Sequence, residues 1–250
     1  MKQIILFIYI IILLLSACTS KPSEKLSIAT AANMQFAMEA LTTAFSAETG
    51  ILCETIISSS GKITAQVKAG APYSVFVSAD MKYPMALYKE GLTVEQPLAY
   101  AKGTIVLWTM HSDINPSLDD LTKPNVKHIA MANPKIAPYG AAAMEALQQK
   151  GLAESLATKF VFGESIAQTN QFILSQAADI GFTAKSVVLS PRINQKGQWT
   201  EIDTSLYTPI IQGIALLKNV PESIDQAQQF KEFLISPKGK EILSTFGYLE

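Results

Sequence analysis

Histidine and cysteine are nearly absent from this 250-residue chain, which carries only His111, His128, Cys18 and Cys53. That scarcity excludes a Cys/His zinc site, which needs a cluster of such ligands at close spacing. Charge of one sign is lacking too: 20 basic residues face 21 acidic ones, a formal net charge of −1. No broad positive field is available for nucleic acid or an anionic membrane, so an anion site would have to work through hydrogen-bond donors. Catalytic signatures are incomplete. Gly163-Glu164-Ser165-Ile166-Ala167 ends in Ala where a nucleophile elbow needs its second Gly. Ser60-Gly61-Lys62 has Ile56 in place of the first Gly of a phosphate loop and Ile63 in place of its Ser/Thr. Neither histidine lies near these loops, so a serine nucleophile has no evident base. The reading is of a binding protein without a cofactor, not an enzyme.

Long apolar runs are confined to the beginning. Lys2 precedes an unbroken apolar stretch from Ile4 to Leu15, then Ser16-Ala17-Cys18. A charged start, a short apolar core and small residues describe a secretory signal over 1–17, too short to span a bilayer. Cys18 directly after the small residues resembles a bacterial lipobox, which implies cleavage before it and lipid attachment. Residues 18–25 then form a polar, lipidated tether and the chain is anchored outside the cytoplasm, with no spanning helix. With Cys18 modified, Cys53 has no disulfide partner and is expected as a buried strand thiol in the run Ile51–Ile57. About 230 residues remain, enough for a sizeable core in one or two domains.

The stretch from Ser58 to Asp80 organises these residues. It reads as a hydroxyl-rich loop, a short helix marked by Ile63 and Val67, a turn at Gly70–Pro72 and an apolar strand Ser74–Ala79. Upstream, strand Leu26–Ala32 runs into Asn33 and a helix with Met34, Ala37, Met38, Leu41 and Phe45 on one face, stopped by Gly50. Asn33 and Ser60 both stand where N-cap residues belong. Helix starts expose unpaired N–H groups and the positive end of the dipole, so they suit an anion, although ordinary capping is the commoner explanation of the serine loop taken alone. Two starts at the carboxyl ends of neighbouring strands make the better argument, because doubly wound sheets keep their ligand crevice there.

The pattern continues. Met81–Glu90 is predicted as a helix with Met85 and Tyr88 inward. Gly103–Met110 is predicted as an apolar strand crossing to a second lobe. Strand Lys127–Ala132 leads into Asn133-Pro134-Lys135-Ile136-Ala137-Pro138-Tyr139-Gly140 and a helix to Lys150. Lys159–Phe162 is a short strand, Gly163–Gln168 opens a helix, and Asp179–Ala184 is the strand after it. Ser190–Trp199 is turn-rich, Pro209–Leu217 returns to the first lobe, and helices Ser223–Ile235 and Lys238–Phe246 finish the chain. Alternation of this kind is α/β.

Ala31-Ala32-Asn33, Ser59-Ser60-Gly61-Lys62, Gly70-Ala71-Pro72, Phe76-Val77-Ser78-Ala79-Asp80 and the Asn133–Gly140 loop together resemble the molybdate-binding proteins of bacterial ABC importers. Gly163–Gln168 and Gly181-Phe182 extend the likeness over essentially the whole mature chain. It implies a two-lobed periplasmic solute-binding fold of type II with two hinge-crossing strands, lobe 1 being 26–104 plus 211–250 and lobe 2 being 105–210. It implies molybdate or tungstate between the lobes, its oxyanion held at Asn33, Ser60, Tyr139 and Ile166, with Ser59, Gly61, Lys62 and Ser165 around them. Tyr139 and Ile166 would donate backbone N–H groups. Ala184 departs from members that place a tyrosine hydroxyl there, and Tyr139 is expected to supply that phenol instead. Asp80 is expected to cap its own helix. The partners implied are a membrane permease and its ATPase, the protein itself acting as a monomer. The donors suit a fully deprotonated oxyanion, and sulfate or another tetrahedral anion is the alternative.

Overall fold

The computed structural model describes residues 25–193 and 196–249. The expected signal peptide, most of the expected tether and Cys18 lie outside these. Among the described residues no helix is long and apolar enough to cross a membrane.

Two five-stranded sheets form the frame. The first contains β1 (Leu26–Ala31), β2 (Cys53–Ser58), β3 (Val75–Ser78), β4 (Leu98–Gly103) and β10 (Ile210–Leu216), in the order β2-β1-β3-β10-β4. The second contains β5 (Ile105–Thr109), β6 (Ile129–Ala132), β7 (Phe160–Gly163), β8 (Ile180–Ala184) and β9 (Gln198–Glu201), in the order β7-β6-β8-β5-β9. The plans match. Three parallel strands in each sheet are followed by an antiparallel one, β10 beside β3 and β5 beside β8. These two antiparallel strands stand where the chain passes between the lobes, so each sheet is completed by a strand that begins at the hinge. The α/β, two-lobed architecture read from the sequence is what the chain adopts.

Helices supply the covering layers. In α1 (Gln35–Thr49), after a 3₁₀ turn at Ala32–Met34, Ala37, Met38, Leu41 and Phe45 are buried together with Met34, as their spacing predicts. Gly50 ends α1 in the left-handed conformation. Then come α2 (Ser60–Lys68), α3 (Lys82–Lys89), α4 (Pro138–Gln149), α5 (Ile166–Leu174), the single turn α6 (Lys185–Val188), α7 (Ile224–Ile235) and α8 (Pro237–Thr245). Phe45 meets Phe230 of α7 edge-to-face at 5.3 Å, tying the two long helices of the first lobe together.

Several expectations fail for identifiable reasons. In α3 Pro84 and Leu87 are the buried residues, one position before the expected inward face, and Tyr88 is exposed. The strand expected over Gly103–Met110 breaks at Thr104, the crossing point, and Leu98–Gly103 pairs in the first sheet. The turn-rich segment ends in an edge strand, β9, whose exposed residues give no apolar signal. Cys53 is half-buried, because β2 is also an edge strand.

Candidate functional site

Four helix starts or turns meet between the lobes. The cavity there is lined from the first lobe by Ala31, Ala32, Asn33, Ser59, Ser60 and Ala79, and from the second by Ala137, Pro138, Tyr139 and Ile166. It leaves only ≈ 10 Å³ for the centre of a water-sized solute, against ≈ 480 Å³ in an open surface groove beside Tyr248, so a sugar or peptide is far too large for it.

Each wall follows from local sequence. Strands β1, β2 and β3 end side by side, which brings the turn after β1, the start of α2 and the residues after β3 together. Ser60 is the first residue of α2, Tyr139 the second of α4 and Ile166 the first of α5. Their amides have no acceptor four residues back within the helix. Among the described residues they donate to no backbone carbonyl outside it. Pro138 at the first helical position fits because an N–H is not needed there.

The hydroxyls are poised differently. Ser60 Oγ accepts from the Ala79 amide at 3.0 Å, which leaves its own proton to donate. Ser59 Oγ is buried and has no partner among the described residues. A buried unpaired hydroxyl is costly in a folded protein, and one in a cavity wall marks a place where a ligand acceptor belongs. No carboxylate is among the lining residues.

Capping differs from the expectation. Ser59, not Ser60, is the N-cap residue of α2, and its side chain caps nothing. Asn33 sits inside the 3₁₀ turn and is no cap either; its side-chain amine donates to Gln212 Oε1 and to the Tyr248 hydroxyl, both at 2.9 Å. Both protons of the Asn33 side-chain amine are therefore taken by protein groups. The Tyr139 hydroxyl accepts from Gln212 Nε2 at 3.3 Å, and burial, then the neighbouring Tyr248, Tyr100 and Tyr207, push its pKa well above that of an ordinary phenol.

The surrounding residues divide. Gly61 donates its N–H to the Ile136 carbonyl across the cleft at 3.0 Å. A Cβ at Gly61 would stand 2.9 Å from that carbonyl oxygen and 3.0 Å from the Ile136 Cα, so the lobes close this far only over a glycine. Lys62 pairs with Glu164 over the cleft mouth, outside the cavity. Ser165 caps α5 by accepting from the Gln168 amide at 3.4 Å. Asp80 accepts the Tyr83 amide in the first turn of α3 at 3.2 Å, and burial raises its pKa. Ala184 is fully buried on β8 and does not line the cavity. Sequence reasoning missed Gln212, Tyr248 and Ser186. A lone glutamine inside the apolar run Pro209–Leu217 was the available signal.

Comparison with known proteins identifies relatives of this chain. The model for the bacterial extracellular solute-binding protein family matches residues 26–249. The molybdate-binding protein ModA of Azotobacter vinelandii is 36% identical over 236 residues, covering 94% of this chain and 93% of that one. ModA of Rhodobacter capsulatus is 35% identical over 222 residues, covering 88% and 86%. The solved Azotobacter vinelandii periplasmic molybdate-binding protein superposes with a TM-score of 0.86 at 32% identity, over 90% of this chain and 99% of that one. The sulfate-binding protein SubI of Mycobacterium tuberculosis, at 13% identity and a TM-score of 0.73, shares the fold. The family is one of binding proteins, not enzymes, and this chain belongs to it: it is a bacterial extracellular solute-binding protein of the ModA group.

Proposed function

We propose that the chain captures molybdate, and tungstate with it, outside the cytoplasm and delivers the anion to an ABC permease and its ATPase. The observation that carries this reading is a small cavity walled by helix-start amides and hydroxyls, with Ser59 Oγ unpaired and no lining carboxylate. A fully deprotonated tetrahedral oxyanion needs only donors, and charge-assisted bonds hold it without a lysine. A protonated anion such as hydrogen phosphate also needs an acceptor, which this lining does not offer from a carboxylate.

In this reading the anion contacts Asn33, Ser60, Tyr139 and Ile166, mainly through their amides and the Ser60 hydroxyl. Ser59 stands beside them with its free oxygen, while Gly61, Lys62 and Ser165 support closure. Lobe 1 is 26–104 plus 211–250 and lobe 2 is 105–210. The anion lands on the first-lobe hydroxyls, the crossings at Thr104 and near Ile210 flex, and the second lobe closes its amides over it. Cys18 carries the lipid that keeps the monomer at the membrane.

Thermal unfolding of the protein lacking residues 1–18 with molybdate, tungstate, sulfate or phosphate tests the reading. A ligand at ~100 times its dissociation constant stabilises the fold by about 2.7 kcal/mol. A large upward shift with molybdate and tungstate alone is expected. A shift with sulfate alone would keep the architecture and overturn the substrate.

A further inference from the structure

A buried hydrogen-bonded unit behind the cavity joins both lobes to the hinge strand. Gln212 is the lone polar side chain of β10 and is fully buried. Its two amide atoms serve different lobes: Oε1 accepts from Asn33 Nδ2 at 2.9 Å, and Nε2 donates to the Tyr139 hydroxyl at 3.3 Å. The other Asn33 amine proton goes to the Tyr248 hydroxyl at 2.9 Å. On the far side, Ser186 Oγ of α6 donates to the Asn33 carbonyl at 2.7 Å. The Tyr248 hydroxyl lies 3.1 Å from that carbonyl and 3.2 Å from Ser186 Oγ. Asn33 thus has both amine protons and its main-chain oxygen held by residues that do not line the cavity, while it lines the cavity itself.

The backbone at the crossing makes room for this unit. A Cβ on Gly103, at the end of β4, would stand 2.0 Å from the Tyr139 hydroxyl and 2.7 Å from Gln212 Nε2. An aliphatic residue on β10 would leave an Asn33 amine proton without its acceptor and the Tyr139 hydroxyl without its donor. A buried amide is tolerated only when both its ends are paired, and a half-satisfied network is worse than an apolar core. Here both ends are paired, and one pairing crosses between lobes. The Gln212–Tyr139 and Ser186–Asn33 bonds both link one lobe to the other in this arrangement.

We propose that Gln212 is a positioning residue for anion capture: from the hinge strand it holds Asn33 of one cavity wall and Tyr139 of the other in a single hydrogen-bonded unit. The amides of both walls then converge on one point only when the lobes are closed. This rests on the oxyanion reading above and adds to it a residue that touches no ligand.

Calorimetric titration of molybdate into the parent, Gln212→Leu, Tyr139→Phe and the double variant tests it, with the melting temperature of each ligand-free protein alongside. Each single substitution is expected to weaken binding about tenfold, the scale of one buried hydrogen bond. The double variant is expected to be no weaker than the poorer single, because both remove the same bond. A purely structural role would lower the ligand-free melting temperature while leaving the dissociation constants of the folded proteins and their coupling unmoved. Additive losses, or a Gln212→Leu protein that binds like the parent, would overturn the proposal. If leucine prevents folding, Gln212→Met of similar length replaces it. Tyr139→Phe removes a single oxygen, so parental affinity in that variant overturns the proposal by itself. A parent that binds none of the oxyanions defeats the functional reading as well, whereas a parent that binds with uncoupled variants defeats this proposal alone.

Discussion

The two walls of the cleft come from the same strand–turn–helix unit and present different chemistry. The first-lobe wall carries side-chain hydroxyls, Ser59 and Ser60, on a floor of small alanines. The second-lobe wall offers main-chain amides at the starts of α4 and α5, flanked by Pro138 and Ile166. A hydroxyl rotates to meet its acceptor, whereas a helix-start amide is fixed by its backbone. The first wall is therefore able to receive an anion and adjust to it, and the second to complete a geometry already set. Substitution of side chains that meet the anion directly should be felt mainly on the first wall, whereas Tyr139 on the second acts through its bond to Gln212.

The strongest way to break that asymmetry is Ser60→Asp. A carboxylate at the start of α2 places like charge against the bound anion, and calorimetry should show molybdate affinity falling ~1,000-fold or more, on the scale of a truncated buried charge contact. A variant that still binds within tenfold would remove Ser60 from the site. Next comes Gly61→Ala, whose added methyl meets the Ile136 backbone at 2.9–3.0 Å. Overpacking by one such group typically costs about 1–3 kcal/mol, so binding should weaken about tenfold or more while the open protein melts as before. Small-angle scattering with molybdate present would then report a less compact particle than the parent.

A sharper comparison pairs one residue from each wall. Ser59→Ala removes a hydroxyl free to bond the anion and is expected to cost about 1.5–3 kcal/mol of binding, as hydrogen bonds to charged groups do. Ile166→Val keeps the amide and trims one methylene, so it should lower the melting temperature while leaving affinity within about twofold. Equal losses of affinity in the two would erase the distinction between the walls.

Smaller effects lie at the cleft mouth and in solution conditions. The Lys62–Glu164 pair is well exposed, and Lys62→Ala should cost at most about 1 kcal/mol, an effect that high salt abolishes in the parent. The donors are neutral, and burial raises the Tyr139 pKa, so the phenol stays protonated until pH rises through that elevated value. Molybdate affinity should consequently stay flat from about pH 6 to about pH 9. A step in that window would reveal a titrating group at the site.

Much of this molecule was legible one element at a time. The 3.6-residue spacing of Met34, Ala37, Met38, Leu41 and Phe45 placed α1 and its buried face, because one apolar stripe can satisfy a helix against a sheet. Continuous apolar runs placed β3, β6 and β8 as interior strands. Exposed edge strands left weaker traces: β9 is exposed or half-exposed, and the buried face of α3 runs through Pro84 and Leu87 instead of Tyr88. The serine loop and the Pro-Tyr-Gly loop could be recognised as helix starts, but their convergence needs two sheets folded against each other.

The sequence by itself determined the α/β alternation, the inward helix faces, the shortage of metal ligands and of net charge, and the loops where donors would cluster. Those follow from local periodicity, turn chemistry and composition, each readable within a few turns of chain. Only the tertiary structure decided that Ser60 keeps its proton because the Ala79 amide occupies its oxygen, that Ser59 is left unpaired, and that the Asn33 amine is held by Gln212 and Tyr248. Gln212 lies 179 residues from Asn33 and Tyr248 lies 215 away. A side chain's free donors depend on what distant segments take from it, and no local pattern in the chain records that.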